Sequence, residues 1–116
     1  MINKEPIFDE LEFFAQVKKR PGFFLGKPSL LSFRDQLIGM EYAFSFYCQE
    51  SALKYFNLFV NWYHEEILRD RNGYACWWNH ILYTIGNDDV RAFASFFGIF
   101  ERYLLEVHNL CLPEVA

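Results

Sequence analysis

The residues whose types and spacing come closest to a chemical site are two cysteine–histidine pairs. Cys76 and His80 are four residues apart and His108 and Cys111 are three apart, so each pair can share one helical face. Together they would supply the four ligands of a tetrahedral zinc site. Their spacing matches no common zinc module, however, and buried thiols beside imidazoles explain them more simply. The chain is therefore expected to bind no metal and no other cofactor.

A third histidine begins a stretch that resembles the helix motif of zinc proteases. His64 is followed by Glu65 and Glu66, but Leu68 stands where that motif requires its second histidine. The chain also has no nucleophile elbow for a serine or cysteine, and it lacks the Lys-Ser/Thr pair of a phosphate-binding loop. We therefore predict no catalytic residue and no enzymatic activity.

Composition limits the classes to which the protein can belong. The chain has 116 residues, a net charge of −4, a pI near 5.3 and three cysteines. This length suits one domain. The acidic balance argues against nucleic-acid binding, because the short Lys18-Lys19-Arg20 run is the one basic cluster. The odd cysteine count, with no apolar leader and no long apolar run, predicts a cytoplasmic protein without disulfides or a membrane partner.

Apolar residues recur at three- and four-residue steps along most of the chain, which is typical of α-helices. Pro21-Gly22, Asn72-Gly73 and Gly86-Asn87 mark helix ends or turns between the periodic stretches. We predict a single all-α domain of about five helices with an aromatic-rich core. The predicted helices cover residues 8–19, 29–49, 51–69, the less regular 74–85 (helix or strand), and a last helix that ends near residue 110.

The same periodicity predicts which side chains face inward. Phe23 and Leu25 are expected to pin the loop after the first helix to the core, while Glu10 lies off the apolar stripe. Val90 and Val107 fall on the inner stripe of the last helix. A glycine inside a helix costs about 1 kcal/mol, so Gly39 is expected to make room for another helix.

Aromatic residues are unusually abundant, with 14 Phe, 7 Tyr and 3 Trp. Most fall on the predicted inner stripes, but one set falls on the helix flanks. A domain of this size buries only about 60–70% of its surface, so part of that set is expected to form an exposed aromatic patch. The flank residues are Phe13, Tyr42, Phe46, Tyr55, Trp62, Phe96 and Tyr103.

The most informative motif is Arg20-Pro21-Gly22-Phe23-Phe24-Leu25-Gly26, which separates the first helix from a second that begins at Ser29. This arrangement resembles small bacterial α-helical proteins that have the same Arg-Pro-Gly-aromatic-aromatic-Leu-Gly loop. Some of them are immunity proteins of polymorphic or contact-dependent toxin systems. The resemblance spans roughly residues 11–45 and implies a functional class without identifying a binding site.

On this resemblance, the chain is expected to bind and neutralise a cognate toxin domain by covering its active site. A nuclease is the expected toxin, because an acidic inhibitor suits a basic substrate cleft. The candidate contacts are acids at helix ends and turns, together with aromatic residues beside the Asn72-Gly73 turn if these are exposed. They are Asp35, Glu65, Glu66, Asp70, Asp88, Asp89, Tyr74, Trp77 and Trp78.

Two other classes remain open from sequence. The first is a helical homo-oligomeric scaffold or adaptor, with a homodimer as its simplest form, held together by aromatic residues that one copy cannot bury. The second is a small enzyme or metal protein that uses Cys76, His80, His108 and Cys111.

Overall fold

The computed structural model describes residues 8–46, 52–69 and 76–115, which form helices joined by short connections. No strand occurs in these ranges, so the predicted all-α fold is confirmed. In the stretch for which helix and strand were both open, the described residues 76–85 form a helix over Trp77–Thr84. The α-helices are α1 (Glu10–Lys19), α2 (Pro21–Leu25), α3 (Leu30–Phe44), α4 (Lys54–Trp62), α5 (Trp77–Thr84) and α6 (Asp89–Tyr103). One π-helical turn extends α4 over Tyr63–Leu68, and another extends α6 over Leu104–His108.

Aromatic side chains from five of the helices fill the core, as the sequence predicts. Phe14 of α1 stacks on Phe100 of α6 with ring centroids 4.9 Å apart, and Phe33 of α3 stacks on Phe97 at 5.8 Å. Interleaved rings of this kind bury large apolar areas and add favourable edge and stacking contacts. The buried aromatic residues are Phe14, Phe33, Phe56, Phe59, Tyr63, Trp77, Phe93, Phe96, Phe97, Phe100 and Tyr103.

The π-helical turns change which residues face the core. A π-turn bonds residue i to residue i+5, so it delays the return of the buried face. In α4 that face passes from Tyr63 to Leu68, and Ile67 between them is only half-buried. The extension of α6 likewise leaves Val107 exposed, which corrects its predicted inward position.

Helix α6 buries a wider face than the predicted stripe. It packs against both α3 and α5, so Phe96 and Tyr103, expected on its flanks, are buried. Val90 was expected inside but is exposed, because Ala92 and Phe93 take the inward positions of the first turn. The predictions for these positions were wrong because the apolar stripe of one helix does not show how many neighbouring helices pack against it.

The segment predicted as a loop after α1 contains the short helix α2. Arg20 ends α1, Pro21 opens α2, and Gly26 closes it with a φ of 84°, which favours glycine. Phe24 and Leu25 pack against the core. Phe23 does not: it is 82% exposed, so its predicted role as a core anchor is wrong. The helical turn directs Phe24 inward and carries its neighbour to the opposite side.

Glu10 is a buried carboxylate that caps a distant helix. Its oxygens accept hydrogen bonds from the backbone N–H groups of Tyr55 (2.9 Å) and Phe56 (2.7 Å) in the first turn of α4. Leu53, the residue at the N-cap of α4, has no side chain that can do this. Burial raises the pKa of Glu10 above its ordinary value, which outweighs the lowering by these N–H groups, and the charge of Glu41 adds to the rise.

Asp89 acts in the same way on α3. The sequence assigns Asp88 and Asp89 to the start of α6, but only Asp88 caps that helix, accepting from the Arg91 N–H at 3.2 Å. Asp89 accepts from the Leu31 N–H (3.1 Å) and from the Ser29 hydroxyl, which itself accepts from the Ser32 N–H. One carboxylate therefore ties the start of α6 to the start of α3.

Replacing Asp89 with alanine is expected to lower the free energy of unfolding by about 1–3 kcal/mol, because buried groups at the start of α3 lose their acceptor. Asp88→Ala is the matched control, since Asp88 caps its own helix and its loss costs about 1 kcal/mol. Urea unfolding of both variants measures the difference. An Asp89 variant as stable as the natural chain would contradict this role.

Candidate functional site

Two of the predicted contact residues meet through an arginine between α3 and α5. The guanidinium of Arg34 lies 4.3 Å from the ring centroid of Trp78, which is half-buried. The same guanidinium donates to the exposed carboxylate of Asp35, with Nη2 at 2.7 Å and Nε at 2.9 Å. Stacking on the indole holds the guanidinium in place, so Asp35, Arg34 and Trp78 form one charged and aromatic edge.

The other predicted contacts have different positions. Trp77 is 7% exposed and packs edge-on against Phe56 at 5.4 Å, so the condition on which it was a candidate is not met. Its place on the inner side of α5 explains this. Glu65 and Glu66 are exposed on the π-helical extension of α4. Asp88 and Asp89 cap helices as described above, and Asp70 and Tyr74 lie outside the described residues.

A groove of about 300 Å³ runs between α3, α4 and α5 beside this edge. Its floor is apolar, and Glu41 forms part of its wall with Asn57, whose Nδ2 donates to Glu41 Oε2 at 2.9 Å. The mixture of an apolar floor with a few fixed polar groups is typical of a recognition site. The groove residues are Arg34, Leu37, Ile38, Glu41, Phe56, Asn57, Val60, Trp77 and Trp78.

The outer side of α3 continues the groove as an exposed apolar surface. Ile38, Tyr42 and Phe46 follow one another at four-residue steps and are 61%, 68% and 66% exposed. The rings of Tyr42 and Phe46 pack edge-to-face with centroids 5.1 Å apart. Gly39 and Ala43, also exposed, lie beside them. These five residues, here called the α3 face, have no charged member.

The exposed aromatic patch predicted from the helix flanks is thus smaller than expected. Of the seven flank residues, Tyr42 and Phe46 are exposed, whereas Phe13, Tyr55 and Trp62 are half-buried against the core. The sequence did not single out Ile38. Ile38 lies four residues before Tyr42, which places both on one helix face, but an isoleucine in such an apolar helix is equally typical of a core position.

Gly39 does not make room for another helix of the described chain. A Cβ built at this position would meet nothing within 4 Å, so no helix of the described chain approaches it. The glycine instead leaves the centre of the α3 face flat. A flat, apolar, uncharged helix surface beside a groove can accept another helix or sheet edge closely.

The histidines of the possible zinc set are bonded to tyrosines. His80 Nδ1 lies 2.7 Å from the Tyr63 hydroxyl, and His108 Nε2 lies 2.8 Å from the Tyr103 hydroxyl. Burial raises the pKa of Tyr103, with a further rise from the charge of Glu10. Within residues 8–46, 52–69 and 76–115, no group of three or more His, Cys, Asp or Glu side chains is placed to hold a metal ion. The four-ligand arrangement considered from sequence therefore does not form there.

Comparison with protein-family models, curated proteins and solved structures finds no match to the chain. Over the described part of the chain, no helix has the length and apolar character needed to cross a membrane. The groove and the α3 face are the parts of the described chain that have the character of a binding surface.

Proposed function

We propose that this chain is an immunity protein that binds a cognate bacterial toxin domain and covers its active site. The observation that carries the proposal is the α3 face with its adjoining groove, a surface whose apolar side chains have no cover within the described chain. Large exposed apolar surfaces rimmed by polar groups mark protein-binding sites. The resemblance of the Arg20–Gly26 loop supplies the functional class, and the cytoplasm is the compartment in which such an inhibitor would act.

The occupant of the α3 face is proposed to be a basic toxin surface, such as the substrate cleft of a nuclease. The rim carries Asp35 and Glu41, and Arg34 is already bonded to Asp35, so the balance of charge at this edge is negative. The chain as a whole has a net charge of −4. Complementary charge would speed the association, while Tyr42, Phe46 and Ile38 would supply most of the binding energy.

Co-expression provides the test. The toxin-like domain encoded by the neighbouring gene is expressed alone and together with this chain, and growth is recorded. We expect growth to stop with the toxin domain alone and to recover when the chain is present. No recovery at matched expression would reject the proposal, as would a neighbouring gene that encodes no toxin-like domain.

Gly39→Ala is expected to raise the stability of the chain and lower its affinity for the toxin domain. The new methyl group meets nothing in the free chain, so it should stabilise the fold by about 0.5–1 kcal/mol. The same methyl group would hold a partner away from the α3 face and lower affinity for the toxin domain about tenfold. Thermal unfolding and titration calorimetry measure the two effects.

Gly98→Ala is the matched control for this substitution. Gly98 is an exposed glycine in α6, and a Cβ there also meets nothing within 4 Å. It should raise stability by a similar amount and leave toxin affinity unchanged, because it lies away from the α3 face. Equal affinities for the two variants would contradict close packing of a partner over Gly39.

The second candidate is a homo-oligomer, and the same α3 face favours it, because an apolar helix surface can also pack against a second copy. The free chain distinguishes the two. Light scattering at high concentration is expected to give a monomer if the α3 face binds a toxin domain. It is expected to give a stable dimer if the chain is a homo-oligomer.

A further inference from the structure

The α2 region has a charge opposite to that of the rest of the chain. Four of the eleven Lys and Arg residues fall between positions 18 and 27, and no acid occurs between Glu12 and Asp35. All four, Lys18, Lys19, Arg20 and Lys27, are exposed, and they lie on either side of Phe23 in the sequence. We call Lys18, Lys19, Arg20, Phe23 and Lys27 the basic tip.

Phe23 is the most exposed large apolar side chain among the described residues, at 82%. Its ring packs edge-on against Phe24 at 4.9 Å, and Phe24 in turn contacts Phe13 at 5.9 Å. Phe23 is therefore held outward on a short helix that is itself anchored to the core. With 82% of its surface in water, Phe23 contributes little to the core, so its ring is available to a partner.

The cations around Phe23 keep most of their charge available. Lys18 is paired with Glu101 at 2.6 Å, and Glu114 lies beside Lys18 and Lys19 in a neighbouring recess. Lys19 donates to the carbonyl oxygen of Val115, and Arg20 donates to the amide oxygen of Gln16; both acceptors are neutral. The stretch from Lys18 to Lys27 therefore keeps a net positive charge close to Phe23 in the sequence.

We propose that the basic tip binds the surface of a bilayer that contains anionic phospholipids. Phe23 would enter the headgroup region, while Lys19, Arg20 and Lys27 would contact lipid phosphates. Such a peripheral contact needs no membrane-spanning helix, so it departs from the prediction of no membrane partner, which depended on the missing long apolar run. It goes beyond the proposed toxin binding, because the α3 face is not used and no toxin is needed to test it.

The chemistry of the tip favours a bilayer over a nucleic acid or an acidic protein. Between Pro21 and Gly26 no side chain can donate or accept a hydrogen bond, so the polar contacts of the tip come from its flanking cations, which suit lipid phosphates, and its apolar contact comes from Phe23, which suits the headgroup region. A protein partner would also need a large matching surface, whereas a bilayer accepts one protruding ring with nearby cations. The opposite charge of the two surfaces supplies the attraction.

Vesicle flotation of the full chain tests the proposal. The probe vesicles contain phosphatidylcholine mixed with phosphatidylglycerol, and the reference vesicles contain phosphatidylcholine alone. We expect the chain to float with the anionic vesicles only and to be released by high salt. Equal binding to both vesicle types, binding to neither, or stronger binding to a polyuridylate competitor would overturn the proposal.

Substitutions then locate the contact. Phe23→Ala is expected to lower the partition coefficient about tenfold, and Lys27→Gln about fivefold. Leu105→Ala is the matched control, because Leu105 is another exposed apolar residue, on the extension of α6. Phe23→Trp, which keeps an aromatic ring at this position, should bind the vesicles as well as the natural chain does. Equal losses for the Phe23 and Leu105 variants would show a non-specific apolar effect and overturn the assignment.

Discussion

Replacing Glu10 with alanine is expected to lower the free energy of unfolding by about 2–4 kcal/mol, because two backbone N–H groups at the buried start of α4 lose their acceptor. The carboxylate is 7% exposed and lies within 2.9 Å of both donors. Urea unfolding below pH 4.5, where the contribution of Glu10 is complete, measures the loss. Glu12→Ala is a matched control on the same helix, since Glu12 is exposed and should cost much less.

The same residue should make stability depend on pH in a defined direction. The pKa of Glu10 in the folded chain lies above the ordinary value of 4.5, so between the two values the folded state holds a proton that the unfolded state has lost. The contribution of Glu10 is therefore complete below pH 4.5 and falls as the pH rises through the folded pKa.

Glu10→Gln isolates that contribution, because glutamine keeps one acceptor oxygen and does not titrate. Unfolding is measured for both chains from pH 4 upward at about equal steps. The natural chain should lose stability relative to the glutamine variant as the pH rises, until the carboxyl is fully ionised. A constant difference, or one that grows in favour of the natural chain, would contradict the burial argument.

Tyr42→Ala is expected to weaken binding of the toxin domain by about 30- to 1,000-fold, the loss of about 2–4 kcal/mol that follows removal of an aromatic hot spot. Tyr42 is 68% exposed and packs against Phe46 on the α3 face. Because the ring is outside the core, the variant should fold normally. Titration calorimetry measures the affinity.

Tyr83→Ala is the matched control for Tyr42→Ala. Tyr83 is a comparably exposed tyrosine, 62% accessible, but it lies on α5 and outside the α3 face. Its removal should change toxin affinity less than about threefold. If both variants bind as tightly as the natural chain, the α3 face is not the contact surface.

The helices were predictable because their signals are local. Asp9, Ser29 and Asp88 each accept a hydrogen bond from the N–H group three residues further on, and each stands just before an apolar stripe, where such caps are common. The spacing of apolar residues also predicted which side of α1 and of α3 faces the core. Where the backbone changed to a π-helix, as at Tyr63–Leu68, the regular spacing no longer located the buried residue.

The cross-helix caps were not predictable in the same way. Glu10 lies 45 residues before Tyr55, and Asp89 lies 58 residues after Leu31. Nothing in the local sequence separates these carboxylates from solvent-exposed ones, because their roles arise only when two distant helix ends meet. The prediction for Phe23 was wrong for a related reason: an apolar residue between turn-forming residues can point inward or outward.

The candidate site was predictable in part. The surplus of aromatic residues indicated an exposed patch, and Tyr42 and Phe46 are its exposed members. The groove was not foreseeable, because it depends on how α3 packs against α5 and on the stacking of Arg34 over Trp78. Charge alone favoured acids outside the groove, such as Glu65 and Asp88, as strongly as it favoured Asp35 beside the groove.

The most direct test of toxin binding is size-exclusion chromatography with light scattering of the purified chain mixed with the toxin domain. We expect a one-to-one complex in which the toxin domain is inactive, and we expect the Tyr42→Ala chain to form little of it. Separate elution of the two proteins, with the toxin domain still active in an excess of the chain, would contradict the proposed function.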